Sequence, residues 1–237
     1  MARVGVVGIG NMGLGIALRL LACRHAVAVR DLRADPERIA AEAGARVLPT
    51  PRAIAEAADL VIVVVVSAAQ IDAVLDGPDG LLAAAPTDVM LCSTIAPQDT
   101  ARFADAVAAR GGTLLDAPIS GGPAKARAGT MSLMLAAPEA ARRRHAQVLA
   151  DMAAHVFPVG ARAGDAARVK LLNNLLAAVN LVAGASALAA GERMGLDPAL
   201  LQGTSRNWRC SLEPGLRLAN SSSDEPLMTT ANRCLRR

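Results

Sequence analysis

Lys170 is the only charged residue in the run Val169-Lys170-Leu171-Leu172-Asn173-Asn174-Leu175-Leu176. An ammonium taken out of water costs several kcal/mol unless it is paired or put to use. Desolvation lowers the pKa of a lysine and makes it a usable acid or base. Asn174 lies four residues on, one helical turn along the same face. An ammonium and an amide on one face can together bind and protonate a carbonyl oxygen. The competing reading is a lysine whose stem lies in apolar surroundings while its head reaches water at a helix end.

A second constellation opens the chain. Gly8-Ile9-Gly10-Asn11-Met12-Gly13 is a G-x-G-x-x-G that follows an apolar run, Val4–Ile9, and begins a helical pattern. Gly8 allows the tight turn, Gly10 lets backbone approach a pyrophosphate, and Gly13 lets the helix pack on the strand. The helix start then presents free N–H groups and a positive dipole end to phosphate. Asp31 follows Gly13 by 18 residues, at the end of the next strand pattern. A carboxylate there accepts two hydrogen bonds from an adenosine ribose and repels a 2′-phosphate, which favours NAD over NADP. Arg30 and Arg33 flank it and soften that preference. The plainer alternatives are a structural glycine turn and a solvated loop acid.

Asp116-Ala117-Pro118-Ile119-Ser120-Gly121-Gly122-Pro123 ends another strand pattern in a Ser-Gly-Gly turn. Exposed N–H groups at the carboxyl end of a sheet can hold a carboxylate, although Gly-Gly and Pro also mark ordinary loops. Ser67, Ser93 and Thr94 end or follow strands at the edge where cofactors bind in such sheets. Asp165 reads as a surface acid, and Arg142-Arg143-Arg144 as a solvated helix face. His25, His145 and His155 show no acid at a useful sequence spacing and no metal-ligand pattern, and no metal is expected.

These residues need a scaffold of alternating strands and helices. Strands are expected at residues 4–9, 25–30, 46–48, 59–66, 88–92, 113–118, 131–136 and 155–159. Helices are expected at 11–23, 36–43, 51–57, 69–75, 97–110 and 138–152. The alternation argues for an α/β fold with a doubly wound, mostly parallel sheet. From about residue 164 to 194 there is one long helix, apolar nearly all round, as expected of a helix buried between partners. Asp197-Pro198 restarts a helix, with Asp as cap and Pro at the first position. From Thr204 the composition breaks: Ser221-Ser222-Ser223, scattered Arg and Asn, the only Trp and no sustained period. That tail reads as irregular, through a shifted reading frame near residue 203 or as a natural extension.

Composition narrows the function. Hydrophobic types make up 53% of the 237 residues, which excludes a disordered chain. Aromatics are 1%, which argues against base-stacking platforms. Of 25 basic residues only Lys125 and Lys170 are lysines, and most of the net charge of +4 falls after residue 203. A nearly neutral body gives no support to nucleic-acid binding. Cys23, Cys92, Cys210 and Cys234 have no paired spacing and read as reduced thiols of a cytoplasmic protein. Met1-Ala2-Arg3 runs straight into a strand, without a signal-peptide pattern. The apolar run at 60–66 is too short to span a bilayer, so no membrane partner is expected.

Residues 3–203 resemble the β-hydroxyacid dehydrogenases of the 3-hydroxyisobutyrate dehydrogenase type, which include tartronate semialdehyde reductases and L-threonate dehydrogenases. The resemblance rests on Gly8–Ala17, on Ser93-Thr94-Ile95-Ala96-Pro97, on Asp116–Pro123 with Gly129-Thr130, and on Lys170–Asn174. It implies a Rossmann domain (1–160), an interdomain helix opening an all-helical domain (161–203), and then the irregular tail (204–237). It also implies NAD(P)-dependent interconversion of a 3-hydroxy acid and its semialdehyde or keto partner. Lys170 would be the catalytic acid/base. Ser120, Gly121 and Gly122 would bind the substrate carboxylate, with Asn174 on the carbonyl. Gly8, Gly10, Asn11, Met12 and Gly13 would cradle the pyrophosphate, Asp31 would hold the ribose, and Thr94 would lie beside the nicotinamide ribose. Members are commonly homo-oligomers through the helical domain. Two departures stand out. Ser67-Ala68 replaces the usual Leu-Pro, and the chain lacks the family's second lysine and later helices. The chain therefore reads as a truncated member. The alternatives are a dinucleotide-binding pseudoenzyme and a phosphogluconate-type dehydrogenase; the latter would need a longer helical domain and phosphate-binding basic residues.

Overall fold

Val, Leu and Ile dominate the short runs that become strands. In the computed structural model, which describes residues 1–197 together with residues 200 and 201, nine strands join one sheet. They are β1 (Arg3–Val7), β2 (Ala26–Arg30), β3 (Arg46–Val47), β4 (Leu60–Val63), β5 (Asp88–Leu91), β6 (Leu114–Asp116), β7 (Ile119–Ser120), β8 (Met131–Ala136) and β9 (Ala153–Gly160). The helices are α1 (Asn11–Ala22), α2 (Ala34–Glu42), α3 (Pro51–Ala57), α4 (Ala68–Asp76), α5 (Pro97–Ala109), α6 (Gly122–Ala128), α7 (Glu139–Arg144), α8 (Ala146–Met152) and α9 (Asp165–Arg193).

The strand order is β3-β2-β1-β4-β5-β6-β8-β7, with β9 on the far side of β8. The first six are parallel, and β8 runs antiparallel to β6 and β7. Strands β4 and β5 are buried along their whole length, as a sheet covered on both faces requires. One apolar layer places Ile16 and Leu20 of α1, Ala126 of α6 and Met152 of α8 against Val4, Val6 and Ile62. The opposite layer places Ile54 of α3, Ile71 of α4 and Phe103 of α5 against Val61, Val63 and Leu91.

Three local departures from the sequence reading have tertiary causes. The helix expected over 138–152 breaks at His145, whose Nε2 lies 2.7 Å from the buried carboxylate of Asp88. Arg144 donates to the same carboxylate at 2.6 Å, so this arginine is no bystander on a solvated face. The expected Ser-Gly-Gly loop runs into a short strand, β7, and a short helix, α6. Helix α6 forms because Ala126 and Pro123 pack on Gly15 of α1, where an added Cβ would lie 3.0 Å from Ala126 Cβ. His25, without an acid nearby in sequence, meets Asp151 at 2.9 Å.

Helix α9 behaves differently along its length. Its first turn packs Ala166 on Met134 and Ala136 of β8, with Val169 alongside. From Leu171 to Ala187 its apolar side chains are exposed, Leu172 at 66% and Val182 at 66% among them, while Leu188 to Ala190 are half-buried. The expected burial therefore fails along the middle of the helix within this single chain. By length and composition α9 is apolar enough to cross a membrane. Cα packing divides the chain into a unit from Met1 to Asn174 and a second beginning at Leu175. The Pro198 helix start and the tail from Thr204 lie outside the described residues.

Candidate active site

The winding changes direction between the parallel neighbours β1 and β4: the strands after β1 are added on one side of it as far as β3 and on the other from β4 onward. Such a reversal leaves a crevice at the carboxyl ends of the strands. The glycine turn sits there. Gly8 has φ +85°, and a Cβ on it would lie 2.4 Å from the Val64 carbonyl oxygen. A Cβ on Gly13 would lie 2.1 Å from the Gly8 oxygen, so helix and turn touch backbone to backbone. Gly10 is different. A Cβ there would meet only Arg33 Nη2, at 3.4 Å, so the space above it is left open. Among the described residues no side chain caps α1, and Leu14 N–H is the first to bond back, to Gly10 oxygen at 2.9 Å. The amides of Asn11, Met12 and Gly13 therefore face outward without intrahelical acceptors. An open glycine and an uncapped helix start fit a pyrophosphate.

Asp31 follows β2 beside this turn. Its Oδ1 accepts from Arg33 N–H at 2.9 Å and Arg33 Nε at 3.3 Å. Among the described residues no donor reaches Oδ2, which leaves an acceptor for a ribose hydroxyl. Arg30 donates to Glu37 at 2.8 Å and to the backbone carbonyl of Asp31, not to its carboxylate.

The remaining candidates line the same edge. Ser67 caps α4 by accepting from Gln70 N–H at 3.3 Å. Ser93 accepts from Val65 N–H at 3.2 Å and so joins the loops after β4 and β5. Thr94 is exposed beside it. Ser120 ends β7, followed by Gly121 at φ +134° and Gly122 at φ +78°.

Lys170 is 8% exposed. Among the described residues no acid or acceptor holds its amine, and burial alone keeps its pKa below the ordinary lysine value. The start of α9 abuts the carboxyl edge, since a Cβ on Gly164 would lie 2.9 Å from the carbonyl oxygen of Pro97. Asn174 is exposed one turn beyond Lys170. Sequence reasoning passed over Asp116. This acid at the end of β6 is 2% exposed and accepts three backbone N–H groups from the start of α9. Its signal was an aspartate closing an otherwise apolar strand, Thr113-Leu114-Leu115-Asp116. No group of three or more metal-binding side chains occurs among the described residues.

Known proteins match along both constellations. A family model described as the NAD binding domain of 6-phosphogluconate dehydrogenase matches residues 3–160. A 3-hydroxyisobutyrate dehydrogenase of Pseudomonas aeruginosa is 38% identical over 220 residues, covering 90% of this chain and 73% of that protein. An L-threonate dehydrogenase of Cupriavidus necator is 38% identical over 201 residues, covering 83% of this chain and 67% of that protein. The solved structure of a 3-hydroxyisobutyrate dehydrogenase from Salmonella typhimurium superposes with a TM-score of 0.75 at 34% identity, over 83% of this chain and 69% of that one. The family model covers the nucleotide sheet and the Pseudomonas relative extends over the lysine helix as well, so the chain belongs to the β-hydroxyacid dehydrogenase family, with an NAD-binding domain of the 6-phosphogluconate dehydrogenase type.

Proposed function

We propose that this chain is an NAD(P)-dependent dehydrogenase that interconverts a short 3-hydroxy acid and its semialdehyde or keto acid. One observation carries the reading. Lys170, a residue only 8% exposed whose amine has no hydrogen-bond partner among the described residues, lies near the start of a helix pinned to the carboxyl edge of a nucleotide-binding sheet.

The nicotinamide supplies or accepts hydride at the substrate carbon when bound. Gly8, Gly10, Asn11, Met12 and Gly13 hold the pyrophosphate, and Asp31 takes the adenosine ribose. Thr94 would lie beside the nicotinamide ribose, with Ser67 as a further cofactor-binding residue. Asp31 favours NAD, and the exposed guanidinium of Arg33 beside it leaves NADP usable. The amides of the Ser120-Gly121-Gly122 turn hold the substrate carboxylate, and Asn174 donates to the carbonyl oxygen. Lys170 Nζ gives its proton to the developing alkoxide and recovers it in the reverse direction. Its lowered pKa brings the amine closer to working pH, where proton transfer in either direction is efficient.

A second copy of the chain covers the exposed part of α9. Lipid suits it poorly, because Asn173, Asn174 and Asn180 interrupt the apolar stretch and amides are costly in hydrocarbon. We place the enzyme in the cytoplasm as a homo-oligomer.

The test is NADH formation with D- and L-3-hydroxyisobutyrate, glycerate and threonate, in the wild type and in Lys170→Ala. Loss of one acid/base group lowers kcat by about 10²- to 10⁴-fold, while NAD affinity stays unchanged. Near-zero rates for both chains on every substrate, alongside clear NAD binding, would refute the proposal.

A further inference from the structure

Two acids are buried among the described residues, Asp88 and Asp116. Asp88 faces Arg144 and His145. Asp116 faces no cation among the described residues. Instead its Oδ2 accepts backbone N–H from Gly164 at 2.8 Å, from Ala166 at 3.1 Å and from Ala167 at 3.1 Å. These are the orphan donors of the first turn of α9, which a helix ordinarily satisfies with the side chain of its own cap residue. Here Gly164 stands before the helix and has no side chain, and Asp165 pairs with Arg168 at 2.7 Å. The cap comes from the end of β6, 48 residues earlier.

This bond links two pieces of the site. Asp116 opens the segment that turns at Ser120-Gly121-Gly122. Ala166 and Ala167 stand four and three residues before Lys170, on the same helical face. Among the described residues no side chain hydrogen-bonds Lys170, so where its amine lies follows from the placement of the α9 backbone and the packing around its stem. A carboxylate also suits this place electrostatically, since it meets the positive end of the helix. Burial raises the pKa of Asp116, the three N–H groups oppose that, and the nearby Asp165 adds to the rise. Cys92, the other titratable group facing it, is pushed up to about 12 by burial and by Asp116 itself.

We propose that Asp116 is a positioning residue of this active site, fixing the start of α9 and thereby the depth and placement of the Lys170 amine relative to the carboxylate-binding turn. The proposal rests on the reading of Lys170 as acid/base, and its test separates the two.

Lys125 and Lys170 are the only lysines, so lysine labelled with ¹³C at Cε gives two resonances whose titrations are followed separately in the full chain. In the wild type Lys170 titrates below the ordinary lysine range. In Asp116→Ala the first turn loses its acceptor and water reaches the amine. The Lys170 titration then moves back toward about 10.4, the ordinary lysine value. With this shift kcat falls about tenfold or more, while the NAD dissociation constant stays within about twofold. Asp116→Asn keeps a neutral acceptor oxygen and restores most of the Lys170 titration and of kcat. Where Asp116→Ala does not fold, Asp116→Glu carries the test. It keeps the charge on an arm one methylene longer, displaces the helix start and shifts the Lys170 titration.

The proposal is overturned if the substituted chain melts at a lower temperature but keeps the wild-type Lys170 titration and kcat, because Asp116 is then only a structural clamp. A wild-type Lys170 that titrates in the ordinary lysine range sinks the acid/base reading instead, whatever Asp116 does.

Discussion

Replacing Gly10 with alanine should abolish tight cofactor binding while leaving the fold almost untouched. Gly10 has φ −64°, which alanine adopts freely, and the new methyl would meet only the mobile guanidinium of Arg33 at 3.4 Å. Alanine is a poorer helix cap than glycine, by about 0.5–1 kcal/mol. Restricting the unfolded chain returns about 0.4–1 kcal/mol. The net change is below about 1 kcal/mol, which for a chain of this size moves the melting temperature by less than about 4 °C. The cofactor loses far more. The methyl occupies the space through which a pyrophosphate reaches the uncapped amides of α1, and two charge-assisted bonds go with it. At about 1.5 kcal/mol or more each, the loss is about 3 kcal/mol, or roughly 100-fold in affinity.

Gly13→Ala supplies the contrast. Its methyl would fall 2.1 Å from a backbone oxygen that cannot swing aside, so α1 must move off β1. Overpacking of this kind costs about 1–3 kcal/mol, and stability and affinity fall together. The assay is NADH titration by fluorescence, with melting curves on the same samples. Gly10→Ala binding NADH within about threefold of wild type at an unchanged melting temperature would refute this account of the turn.

Asp31→Ala removes the proposed ribose acceptor and should weaken NADH more than NADPH, by about tenfold or more for NADH if one charge-assisted bond of about 1.5 kcal/mol is lost. Equal losses for the two cofactors would show that Asp31 does not discriminate. Burial pushes Asp88 upward, but hydrogen bonds from His145, Arg144 and the Thr113 N–H outweigh it and hold the carboxyl below its usual range. Because the folded value lies under the unfolded one, about 3.9, the stabilisation is full above that pH and disappears as pH falls through the folded value. Asp88→Asn should therefore lower the melting temperature at pH 7 and flatten the acid limb of the stability curve below about pH 4. Breaking a buried pair costs about 3 kcal/mol, or roughly 6–12 °C; a melting temperature at pH 7 within about 2 °C of wild type would contradict this. On α9, Leu176 and Val179 are 52% and 54% exposed. Leu176→Glu with Val179→Glu should reduce the mass by light scattering from a multiple of 24.2 kDa to that of one chain. A wild type already at 24.2 kDa would remove the proposed second copy.

Much of the scaffold is written in local pattern. Strands such as Leu60–Val63 are apolar without interruption because both faces are covered, and α1 starts where glycines give way to a 3.6-residue period. The glycine turn was legible for the same reason: its steric demands fall on a few consecutive residues, whichever fold surrounds them. Lys170 was legible because a charge inside a greasy helix has few acceptable explanations.

Other features depend on residues far apart in sequence. The break at His145 exists because Asp88 waits across the sheet, 57 residues away. Helix α6 exists because Gly15 leaves room for Ala126. The cap on α9 comes from Asp116, and nothing in the local sequence of the helix announces it. Local sequence fixes what a segment prefers and which groups are expensive to bury. Where those groups find partners depends on which strand ends the winding of the sheet brings together, and only the folded chain decides that.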